Sequence, residues 1–150
     1  MRFIEDCFPL LVTIGPKRWD PGEIEQMTQG FERYFVRGER YATLHVSPKD
    51  ADAVGANDRK LIVDYANNPR VKEFSKKLCV ASATVIENTL MRGTLTAIQW
   101  FWTPAAPFKA VANVEAGVDY CLDALARARL PLPRSAAAIR LEILKQLKDL

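Results

Sequence analysis

Apolar residues in this chain gather into short β-like runs that alternate with longer stretches of helical spacing. The first run, CFPLLVTIGP, is rich in Leu, Val and Ile and is stopped by Gly15 and Pro16, which predicts a strand. Asp20 before Pro21 reads as an N-cap with proline at the first helical position, and Glu23 stands where a capping-box partner belongs. Ile24, Met27, Phe31, Tyr34 and Phe35 recur at helical spacing and Gly38 marks the stop, so a helix is expected between these signals.

The pattern then repeats. RYATLHVSP predicts a second strand, and the polar connection KDADAVGAND leads into RKLIVDYANNPRVKEFSKKL. There Leu61, Ile62 and Tyr65, then Val71, Phe74 and Leu78, give one or two helical pieces broken or kinked at Pro69. CVASATVIEN predicts a third strand with Val80, Ser82, Thr84 and Ile86 on one face and Cys79, Ala81, Ala83 and Val85 on the other. Nearly all are small or apolar, as expected of a central strand covered on both sides.

Residues 90–102 follow at helical spacing, with Met91, Leu95, Ile98, Phe101 and Trp102 on one arc. Trp100 falls opposite, beside Thr96, Arg92 and Gly93, where an indole either packs on a neighbouring element or meets a partner. FKAVANV predicts a fourth strand, and VEAGVDYCLDALARARL a helix with Val118, Cys121, Leu122 and Leu125 inward. Pro131 and Pro133 divide residues 1–130, one α/β domain, from an amphipathic helix over 134–150. That last segment has Ser135 as its cap and Ile139, Ile143, Leu144, Leu147 and Leu150 recurring. It can dock on its own domain, pair with a second copy as a homodimer, or engage another protein. Arg92, Thr96, Trp100, Arg140, Leu144 and Leu147 are the candidate partner-binding residues.

Composition adds limits. The chain has 150 residues, 49% of them hydrophobic and 26% charged, which fits one globular domain burying roughly two-thirds of its unfolded surface. No run reaches the roughly 18 to 20 apolar residues of a membrane span, and the amino-terminal apolar stretch is interrupted too early for a signal peptide, so a cytoplasmic protein is expected. Residues 1–126 carry 15 Lys and Arg against 16 Asp and Glu, and residues 127–150 carry 6 against 2, so the net +3 is a carboxy-terminal property. A neutral body without a nucleic-acid-binding motif argues against nucleic acid as partner.

Chemistry-bearing residues are few. Cys7, Cys79 and Cys121 are far apart inside apolar segments and read as small buried hydrophobes rather than disulfides or metal knuckles. His45, the only histidine, lies in an alternating β-like run that suits a packed or half-exposed ring better than a catalytic base. Asp50, Asp52, Asp58 and Asp64 occupy a polar connection and the helix after it, where solvated carboxylates are the default. No glycine cluster forms a phosphate cradle. No catalytic residue, cofactor or metal ligand is therefore assigned.

The segments VASATVIEN, LMRGTLTAIQWF and PFKAVANVEAGVDYCLDAL, in their strand–helix–strand–helix order, resemble the SpoIIAA-like family, the fold of STAS domains and a distant relative of lipid-binding CRAL-TRIO modules. The resemblance covers about residues 8 to 128. It implies a mostly parallel four- to five-stranded sheet with helices packed on it, here with an extra C-terminal helix. It further implies a cytosolic location, no cofactor, and signalling or regulatory work by binding other proteins. The phosphorylatable STAS loop is missing: at the nearest site, Ser47, Pro48 replaces the glycine-flanked turn. Three functions stay open: a non-enzymatic interaction module, a small carrier of apolar ligands or lipids, and a small enzyme of unrecognised type.

Overall fold

The computed structural model of the chain describes residues 1–87 and 104–147. Within them five strands, β1 (Arg2–Ile4), β2 (Leu10–Ile14), β3 (Tyr41–Val46), β4 (Cys79–Val85) and β5 (Phe108–Val111), form one sheet in the order β1-β2-β3-β4-β5. β2 to β5 are parallel, and β1 runs antiparallel along β2 with Arg2 opposite Ile14 and Ile4 opposite Val12. The described helices are α1 (Pro21–Arg37), α2 (Ala56–Asn67), α3 (Pro69–Leu78), α4 (Val114–Arg127) and α5 (Ala136–Leu147). The expected α/β architecture with a mostly parallel sheet is what the chain adopts.

Local chemistry sets the helix ends. The Asp20 side chain accepts the Glu23 N–H at 2.9 Å, and Gly38 closes α1 at φ 67°, where only glycine is free of a Cβ penalty. Pro69 splits the long helical stretch in two, with the Asn68 side chain capping α3 through the Arg70 N–H. Asn113 caps α4 through the Ala116 N–H at 2.8 Å, and Ser135 Oγ accepts the Ala138 N–H at the start of α5.

The sheet has two covered faces. Val12, Leu44, Ala83 and Val85 point to one, where α4 contributes Val118, Cys121 and Leu125 and α5 contributes Ile139 and Ile143, both fully buried. The opposite face packs Leu11 and Tyr41 against Tyr34 and Phe35 of α1 and Val71 and Leu78 of α3. The expected inward residues of α4 are all buried.

Four details differ from the sequence reading. β1 is additional, a three-residue strand too short to show a period. The β3–β4 register shifts at Tyr41/Ala42, an irregularity that places Cys79 in the cluster with Tyr41 rather than with Ala81, Ala83 and Val85. Beyond that irregularity β4 is fully buried on one face only, because Ser82 and Thr84 stay partly exposed, and Val80 packs beside Ala81, Ala83 and Val85. On α2 no residue is fully buried and Leu61 is 45% exposed, while Ile62 and Tyr65 are half-buried and Tyr65 packs against the cluster of Leu11, Tyr34 and Phe35, so the expected inward stripe forms only in part.

Candidate functional site

In open parallel sheets, ligands gather at the carboxyl ends of the strands. Here that end carries a polar row across three strands, since Thr13, His45 and Thr84 are register neighbours on β2, β3 and β4. Thr13 is wholly buried and its Oγ1 lies 3.0 Å from His45 Nδ1. Gly15 closes the row: a Cβ there would stand 3.2 Å from His45 Cε1, and the Trp19 ring lies 6.5 Å from the imidazole.

Burial holds the His45 pKa down at about 4, so the imidazole is neutral near pH 7. One ring nitrogen is committed to Thr13. The four aspartates of the following segment do not hydrogen-bond this ring: Asp50 pairs with Lys17 at 2.6 Å, Asp64 pairs with Lys60 at 3.1 Å, and the Asp52 N–H donates to the Lys17 carbonyl. Ser47 stands one residue past β3, its N–H directed at the Val85 carbonyl. Among the described residues no group of three His, Cys, Asp or Glu side chains converges as a metal site.

The cysteines are free and buried. Desolvation pushes the Cys79 and Cys121 thiols up to about 12, and their sulfurs sit against the carbonyls of Ala81 and Thr43. Burial also raises Cys7, opposed by the Arg134 guanidinium 3.8 Å from its sulfur. These thiols behave as core side chains.

The candidate partner residues fall into two groups. Arg92, Thr96 and Trp100, like the helix read over 90–102, lie outside the described residues. Arg140, Leu144 and Leu147 lie on α5, which is anchored by Ile139 and Ile143 and tied at its ends by the Arg134–Cys7 contact and by Arg2 donating to the Gln146 carbonyl at 3.3 Å. Arg140 forms an ion pair with Asp119 of α4. Leu144 and Leu147 are half-buried, and Leu147 leans on the core.

A residue of α5 that sequence reasoning passed over is Leu141, 69% exposed and three residues before Leu144 on the outer surface of the helix. At about 100° per residue it lies nearly opposite both Ile139 and Ile143, so a projection anchored on those two would have found it.

No protein-family model, curated protein or solved structure matches this chain at a significant level. No helix among the described residues is long and apolar enough to cross a membrane.

Proposed function

We propose that this chain is a non-enzymatic STAS-like module of the cytosol that works in signalling or regulation by binding another protein. The consecutive strand order, with helices on both faces of a mostly parallel sheet, accords with that family resemblance. Its contact surface is the outer side of α5, Leu141 and Leu144 with Arg140 at the margin, together with Arg92, Thr96 and Trp100.

One observation carries this reading: Leu141 is 69% exposed on a helix whose opposite side, at Ile139 and Ile143, is fully buried. Covering a large apolar side chain that is held in water removes its surface from the solvent, which favours a partner that seats on it.

The test is affinity capture from the native cell with the intact chain, Leu141→Glu and Trp100→Ala, with the melting temperature of each measured in parallel. A partner retained by the intact chain and lost from Leu141→Glu, at unchanged melting temperature, is expected. Identical capture by all three would refute the reading. Light scattering decides whether the partner is a second copy.

A further inference from the structure

We propose that the trough at the amino end of β4 binds a small organic oxyanion, a carboxylate or phosphate carried on an apolar body. This inference is independent of the role given to α5.

The trough follows from unequal strand lengths. β4 begins at Cys79, but β5 joins it only at Ser82, opposite Phe108, with the Ser82 N–H donating to the Pro107 carbonyl at 2.8 Å. The first residues of β4 therefore extend beyond β5, while α4 continues to Arg127. Between them lies an open depression of about 400 Å³, within the size range of small-ligand sites.

Its lining has a definite chemistry. Val80, Ala81, Pro107 and Ala124 supply apolar surface and Tyr120 an aromatic wall, whereas the charged residues of the lining are Arg40 and Arg127, with no carboxylate among the described residues. Neither arginine forms an ion pair among the described residues, in contrast to Arg37, Arg70 and Arg140, which pair with Glu39, Glu32 and Asp119. Lys109, its ammonium 5.6 Å from the Tyr120 ring centre, adds a third cation at that wall.

A guanidinium offers a planar fork of donors that matches a carboxylate or phosphate, and its hydrogen bonds to such anions are about twice as strong as neutral ones. Two guanidinium groups without an ion pair among the described residues, set beside an apolar floor, thus select a ligand that is anionic at one part and apolar at another.

The experiment is an amide NMR titration of the intact protein with 1-naphthoate, 1-naphthyl phosphate, inorganic phosphate and the neutral 1-naphthamide. Saturable shifts at Val80, Ala81 and Ala128 are expected with naphthoate or naphthyl phosphate, and the stronger of the two identifies the headgroup. Arg40→Gln and Arg127→Gln, at exposed positions, each weaken that binding about tenfold or more, the loss of one charge-assisted contact. Added salt weakens the anions and not the amide, a readout that needs no variant. Binding of 1-naphthamide as tight as naphthoate, shifts confined to other surfaces, or no saturable shift from any probe would each overturn the proposal.

Discussion

Leu44 Cδ1 stands 2.5 Å from the point where a Cβ on Gly117 would lie, so the absence of a side chain at position 117 lets α4 pack this closely on the sheet. Leu44 is fully buried, and the γ2 methyls of Val111 and Val85 close the same space at 3.3 and 3.4 Å. Alanine would gain about 1 kcal/mol of helix propensity at position 117 but overpack the core at a cost of about 1–3 kcal/mol. Gly117→Ala is therefore expected to destabilise the protein by about 1 kcal/mol in denaturant titration. Combining it with Leu44→Ala should give less than the sum of the two losses, because the smaller residue admits the methyl group.

The C-terminal helix belongs to the core energetically. Ile139 and Ile143 are fully buried in the cluster that holds β2, β3 and β4, so Ile139→Ala or Ile143→Ala should cost about 2–5 kcal/mol. Leu141→Ala, two residues away and exposed, should stay within about 0.5 kcal/mol. Urea unfolding separates these outcomes, and equal small losses at all three positions would mean that α5 is not docked.

His45 gives a pH signature. Its pKa falls from 6.5 to about 4 on folding, so the unfolded chain binds the proton more readily between those values. The stability it contributes is complete above about pH 6.5 and is lost as pH falls toward 4. A shift of this size corresponds to about 3 kcal/mol, and the partial exposure of the ring brings the expected loss to about 2. In His45→Gln that part of the acid dependence should vanish, leaving the carboxylate contribution alone.

The raised thiols work in the opposite direction. Unfolded cysteine releases its proton near 9.0, whereas Cys79 and Cys121 hold theirs to about 12. Their contribution to stability is present below about pH 9 and declines as pH rises from there. Neither should be alkylated by iodoacetamide in the native protein at neutral pH, and both should react once denaturant opens the core. Labelling of either at the rate of a free thiol would contradict their placement.

Much of this fold was legible because its signals are local. Asp20-Pro21, Gly38, Pro69 and Ser135 act through short-range hydrogen bonds or fixed dihedrals, and each ends or begins an element where the sequence places it. The inward face of α4 followed from its period. What escaped depends on distant neighbours: β1 needs β2 to pair with, the register shift beside Cys79 is a property of two strands, and the apolar spacing of α2 is only half covered, with Tyr65 against the core and Leu61 left in water. The trough beside Arg40 and Arg127 arises from where β5 begins relative to β4, which no single segment encodes. Leu141 was readable in principle but was masked by the equal hydrophobicity of Leu144 and Leu147.

The most direct test of the interaction surface is in-cell photocrosslinking from position 141, with Asp123 on the exposed side of α4 as the control position. One defined adduct is expected from 141, absent from 123 and suppressed when Leu144→Glu is added. No adduct from 141, or the same adducts from both positions, would contradict the assignment of the outer face of α5 as the binding surface.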